Sequence, residues 1–168
     1  VLESQENEIL ALVKQAVFIN GVWSSQWSLL QSKDLGENYN ILRSWSNEGF
    51  ESVVAQRSLN TEDCFFIAKP RDEKQWNVVR YEVRSERFIE ITSDTISAVP
   101  AAMAASTLND TTHLYVACDN NDLMYSSDLG KTWIKKSSDS KWKQLYTSDP
   151  RDPKKLYCKT THLHLSKD

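Results

Sequence analysis

The sequence predicts an all-β protein built from short antiparallel sheets that recur along the chain, and three observations lead there. The pattern Ser-x-Asp-x-Gly-x-polar-aromatic occurs twice, as Ser32-Lys33-Asp34-Leu35-Gly36-Glu37-Asn38-Tyr39 and as Ser126-Ser127-Asp128-Leu129-Gly130-Lys131-Thr132-Trp133. Short runs of alternating or β-branched residues, separated by polar turns, fill the chain between and beyond these copies. The serines at 32 and 126 are separated by two intervals of about 47 residues, and a third Ser-x-Asp begins at Ser166, one interval of ~40–45 further on, as expected of four-stranded repeats. About four units follow from this spacing, ~9–46, ~50–93, ~96–138 and ~142–168, the last incomplete, within a single domain.

The repeated pattern is a device for reversing a strand. The short carboxylate of Asp128 can accept bonds from nearby backbone N–H groups and close an Asx-type turn. Gly130 supplies a positive φ without a side-chain penalty. Thr132 and Trp133 then re-enter a strand, where a β-branched residue and a large aromatic suit a pleated surface, and the indole can lie back over the turn.

From the N-terminus, Glu3 to Gln15 has acids followed by apolar residues at 9, 10, 12 and 13, which reads as a short amphipathic helix over residues 4–14. A strand throughout is the alternative, because Val17-Phe18-Ile19 leads into Asn20-Gly21, a strong hairpin signal. In the second unit, Ser52–Gln56, Cys64–Ala68, Asn77–Val83 and Arg87–Thr92 read as strands, and Arg84-Ser85-Glu86-Arg87 is a turn with neither Asp nor Gly. In the third, His113–Cys118 and Asp122–Ser126 precede the second copy of the pattern. In the fourth, Lys155–Lys159 and His164–Asp168 are strands, and the prolines of Ser148-Asp149-Pro150-Arg151-Asp152-Pro153 fit the loop before them.

Both copies of the pattern resemble the Asp-box of β-propeller blades in sialidases, xyloglucanases, sortilin-type receptors and photosystem assembly factors. Tyr125 to Trp133 matches at every defining position, whereas the first copy carries Asn38 for Thr and Tyr39 for Trp. The run from Asp149 to Tyr157 resembles the approach to the second strand of a blade in the same families. The resemblance implies a propeller or partial propeller of about four blades, in which the box residues Ser32, Asp34, Gly36, Tyr39, Ser126, Asp128, Gly130, Thr132 and Trp133 are structural and lie away from active sites. It leaves three functions open: a non-enzymatic protein-interaction scaffold, which we favour; a carbohydrate-active enzyme or part of one; and a segment of a longer sortilin-like receptor.

The composition is that of an ordinary globular protein: 168 residues, 40% hydrophobic, 20 basic against 23 acidic side chains. The longest apolar run, Ala98–Ala105, is broken by Pro100 and falls far short of the ~18–20 residues that span a bilayer, so no membrane insertion is expected. Cys64, Cys118 and Cys158 form an odd set within apparent strands and read as small buried hydrophobes, a lean toward a reducing compartment. The tripeptide Asn109-Asp110-Thr111 is a glycosylation sequon.

Candidate sites are few. Between Lys131 and Lys159 there are nine Lys/Arg against three Asp, a stretch suited to an acidic protein surface and less to nucleic acid. Within it, Trp142 between Lys141 and Lys143 has the form of an interface anchor. Trp23 and Trp27, four apart on a strand, share a face and could bind a peptide or a sugar. A glycosidase would need a carboxylate pair and a sialidase an arginine triad; Glu48, Glu51, Asp72 and Asp94, and Arg43, Arg57, Arg71 and Arg80, do not assemble into either from sequence. His162 and His164 share a strand face but lack an evident third ligand, with His113 distant, so no metal and no cofactor are expected.

Overall fold

The computed structural model describes residues 8–47, 54–58, 64–70, 76–92, 98–139, 145–149, 151–158 and 164–165. These residues form fourteen strands and no helix. They pair into four open antiparallel sheets, each made of strands consecutive in the chain. The chain divides into two compact units, Val1–Glu51 and Ser52–Asp168.

The first unit holds β1 (Ile9–Ile19), β2 (Val22–Ser32) and β3 (Asn40–Asn47), in that order across one sheet. The helix expected over residues 4–14 is overturned where the structure describes it, since β1 runs from Ile9 without interruption. Asn20 and Gly21, at φ 52° and 82°, make a two-residue turn of the kind that matches strand twist. The turn sets a register unbroken from Ile19↔Val22 to Ile9↔Ser32. Eleven consecutive cross-strand pairs outweigh the modest helical preference of the first few residues.

The second unit holds three sheets. The second sheet contains β4 (Val54–Ser58), β5 (Cys64–Pro70), β6 (Trp76–Glu82) and β7 (Arg87–Thr92). The third contains β8 (Pro100–Leu108), β9 (Thr111–Cys118), β10 (Asp122–Ser126) and β11 (Ile134–Ser138), and the fourth β12 (Leu145–Ser148), β13 (Leu156–Cys158) and β14 (His164–Leu165). Pro100 stands at the first position of β8, where its missing N–H costs no ladder bond. Asn109 and Asp110, both at positive φ, form the two-residue turn joining β8 to β9, so the sequon residues have a conformational task that sequence reading missed.

The third sheet is covered on both faces, and strand alternation decides which residues go where. Met103, Ala105, Leu114, Val116, Cys118 and Met124 join Cys64, Phe66, Trp76 and Val78 of the second sheet in one core. Ala104, Tyr115, Ala117 and Leu123 meet Leu145 and Leu156 of the fourth sheet in another. Burial on both faces explains why His113–Cys118 reads as a nearly continuous apolar run. The first strands of these sheets lie side by side, β4 against β8 and β8 against β12.

Candidate functional site

The two reversals predicted from the repeated pattern join β2 to β3 and β10 to β11, and their hydrogen bonds correspond one for one. In the second corner the Ser126 hydroxyl donates to Asp128 Oδ1 at 2.7 Å and accepts the N–H of Gly130 at 3.0 Å. Asp128 then accepts the Thr132 N–H at 2.9 Å and the Thr132 hydroxyl at 2.6 Å. In the first corner Ser32 donates to Asp34 at 2.7 Å and accepts from Gly36 at 2.8 Å. The Asn38 N–H and side-chain amide reach Asp34 at 3.0 and 2.8 Å. Asn38 thus replaces Thr without loss of the bond.

Two features of the corners exceed the sequence reading. Each places a leucine as well as a glycine in the left-handed region, Leu35 and Gly36 at φ 59° and 94° and Leu129 and Gly130 at φ 62° and 87°. The serine is a hub rather than a spacer, because its oxygen takes the glycine N–H while its proton holds the aspartate. The carboxylates respond accordingly. The Asn38 N–H, then the Ser32 hydroxyl and Asn38 amide, bring the Asp34 carboxyl down to about 2. For Asp128, burial pushes upward most, but the Thr132 hydroxyl and N–H and the Ser126 hydroxyl together outweigh it and leave the carboxyl below its ordinary value. Both acids are occupied within their turns.

The aromatic lids differ. The Trp133 indole N–H donates to the Gly130 carbonyl at 2.9 Å, and its ring meets that of Trp76 edge-on at 5.3 Å. Tyr39 also leans over its glycine, with its hydroxyl 3.1 Å from where a Gly36 Cβ would stand, yet it is 46% exposed against 6% for Trp133.

The reversal between β6 and β7, which has neither Asp nor Gly, is held by Glu82. That carboxylate accepts from Arg80 at 2.7 Å, Ser85 at 2.9 Å and Arg87 at 2.9 Å. Burial raises its proton affinity most, and the Ser85 hydroxyl with the Arg87 and Arg80 guanidiniums more than reverses the effect.

Of the binding candidates, Trp23 lies near the tip of the β1–β2 hairpin, 70% exposed and 5.0 Å from the ring of Phe18 opposite it. Among the described residues, β3 pairs with β2 from Ser25↔Asn47 to Gln31↔Asn40. Val22, on the other face, is also exposed, and residues 15–32 contain no charged side chain. Trp27 sits further along the sheet opposite Trp45, with the Lys14 ammonium 5.9 Å from its ring centroid. The two tryptophans therefore share a face but not an environment.

Lys141, Trp142 and Lys143 lie outside the described residues. Among the described cations of that stretch, Lys135 pairs with Asp122 at 2.8 Å and Lys155 with Asp152 at 3.4 Å. Lys136 stands 4.8 Å from the Tyr125 ring centroid. Asp149 organises the preceding loop, accepting the Arg151 N–H and the Tyr157 hydroxyl. Cys64 and Cys118 are fully buried, and burial above all, with Asp122 and Asp119 nearby, pushes the Cys118 thiol up to about 12, far from a reactive thiolate.

The catalytic candidates do not converge among the described residues. Glu48, Glu51, Asp72, Asp94 and Arg71 lie outside them, as does the Arg57 side chain. Arg43 stacks on Trp45 and Arg80 is bound to Glu82. His113 Nδ1 meets the Tyr125 hydroxyl at 2.8 Å, and burial lowers the imidazole's affinity for a second proton. No group of three metal-ligating side chains occurs among the described residues; His162 is outside them. No family model matches the chain, and no curated protein matches it.

Proposed function

We propose that the chain is a series of Asp-box propeller blades acting as a non-enzymatic protein-interaction module. Supporting the blade reading are two corners with the same hydrogen bonds and the side-by-side placement of β4, β8 and β12, the arrangement that inner strands take around a propeller axis. The functional reading is carried by the β1–β2 tip, where Phe18, Val22 and Trp23 are 60%, 65% and 70% exposed. An exposed aromatic pair on an uncharged hairpin tip is suited to filling an apolar pocket on a partner. Lys131, Lys136, Arg151 and Lys154 add attraction toward an acidic surface.

The test is quantitative capture from a native extract by the intact chain, compared with a Phe18→Ser, Trp23→Ser variant and, separately, a Trp142→Ala, Lys143→Ala variant. The tip variant should lose the proteins that the parent retains, with the basic-stretch variant weakening the same set. Equal recovery by all three chains would refute the proposed role.

A further inference from the structure

The sequence contains one Asn-Gly pair, Asn20-Gly21, and it forms the turn between β1 and β2. Its φ values, 52° and 82°, are those that a two-residue hairpin turn demands and that this pair adopts most readily. The same pair has a chemical property as well. An asparagine side-chain carbonyl lies within reach of the next backbone nitrogen, and the two can close a small ring unless a side chain on the following residue obstructs them. Glycine has no side chain to do so.

The surroundings of Gly21 leave that closure open. A Cβ built there would meet nothing within 4 Å, whereas at Gly36 it would approach the Tyr39 hydroxyl at 3.1 Å and at Gly130 the Trp133 ring at 3.6 Å. The ladder ends at Ile19↔Val22, so the Gly21 N–H belongs to no strand pair. The side-chain amides of Asn38 and Asn120 are tied to Asp34 and Asp122 at 2.8 and 3.2 Å. That of Asn20 has no such partner among the described residues.

We propose that Asn20 is a site of spontaneous deamidation, and that its conversion to isoaspartate undoes the hairpin tip and so acts as a timer on the Phe18–Trp23 pair. The Gly21 nitrogen forms a bond to Asn20 Cγ, and the side-chain nitrogen leaves as ammonia to give a succinimide. Water then opens the ring. Opening at the Asn20 backbone carbonyl leaves the chain running through Cγ as isoaspartate; opening at Cγ gives aspartate. Either way an amide becomes a carboxylate, with water taken up and ammonia released, and no oxidant or cofactor enters.

Aspartate keeps the turn, since Asp-Gly suits the same geometry, but it puts a negative charge into residues 15–32, which carry none. Isoaspartate does more. It inserts a methylene into the backbone of a two-residue turn, and turn length sets hairpin register, so the neighbouring pairs Ile19↔Val22 and Phe18↔Trp23 lose their alignment. The rings of Phe18 and Trp23, 5.0 Å apart in the intact turn, then separate. The regulatory meaning rests on the binding role proposed for this tip; the chemistry and the loss of ring contact do not.

The test ages the intact protein at physiological temperature and mildly alkaline pH beside Asn20→Gly, which keeps the turn because Gly-Gly suits both positive φ values and which has no side-chain amide there. Isoaspartate is read by mass and by enzymatic methylation in the tryptic peptide Gln15–Lys33, which contains no other asparagine. Nuclear Overhauser contacts between the Phe18 and Trp23 rings are read in the same samples. The parent should accumulate isoaspartate at residue 20, faster at higher pH because the attacking nitrogen must shed its proton, and should lose the ring contacts in proportion. The variant should keep them. Asparagine persisting at residue 20, or isoaspartate there with the ring contacts intact, overturns the proposal. Capture from extract by fresh protein separates this from failure of the interaction role: if fresh parent and the Phe18→Ser, Trp23→Ser variant recover the same proteins, the binding role fails while the conversion stands on its own readings.

Discussion

At the scale of single residues, the corners show how much a hydroxyl–carboxylate–amide network can fix. Asp128 serves three donors, so Asp128→Ala leaves the Ser126 and Thr132 hydroxyls and one N–H without their acceptor. A loss of about 1–3 kcal/mol is expected, read as a lower urea midpoint with an unchanged denaturant slope. Acid should act on the same groups. Asp34 and Asp128 both have folded values below the ordinary carboxylate, so their contribution is fully present above about pH 4. It is lost as pH falls through the folded values, about 2 for Asp34. Thermal melts should therefore be flat from neutral pH to about 5 as far as these acids are concerned and fall steeply below about 4; a Asp34→Asn, Asp128→Asn variant should start lower and show a shallower decline. The aspartates and glycines could be read from the pattern alone. The serine's double role and the left-handed leucines could not, because leucine carries no intrinsic preference for positive φ and a hydroxyl's partners depend on the finished turn.

At the scale of elements, the outcome was decided by pairing rather than by local preference. The first strand has apolar spacing compatible with a helix, but Asn20-Gly21 aligns it with β2 over its whole length, and the ladder prevails. The turn after β6 shows the converse. Arg84-Ser85-Glu86-Arg87 contains no strong turn residue, yet Glu86 takes φ 53° and Glu82 gathers Arg80, Ser85 and Arg87 around one carboxylate. That device was illegible in sequence because its acid precedes the turn instead of standing in it. Arg80 is only 8% exposed, so Glu82→Gln leaves a buried guanidinium facing a neutral amide. The expected cost is about 2–3 kcal/mol, below that of a wholly buried pair because Arg87 is solvated. Charge reversal at the exposed partner, Arg87→Glu, should cost less than the loss of Glu82, and an opposite ranking in chemical denaturation would contradict this account of the turn.

At the scale of the whole molecule, the spacing of Ser32, Ser126 and Ser166 anticipated strands recurring in short sheets, and the apolar runs at 113–118 and 122–126 fall on strands of the third sheet. The pattern could not reveal that this sheet is enclosed on both sides, since a continuous apolar run is equally the mark of a buried helix segment. The candidate site was less legible still. Trp23 was recognisable as an aromatic four residues from Trp27, but its exposure depends on tertiary surroundings that local sequence does not set. The central proposal is that the second, third and fourth sheets turn their first strands toward a common centre, as blades would. The most direct measurement is a set of side-chain nuclear Overhauser contacts from β8 in isotopically labelled protein. The account predicts contacts to both β4 and β12, in addition to the ladder partner β9. A β8 that contacts β9 alone would contradict it.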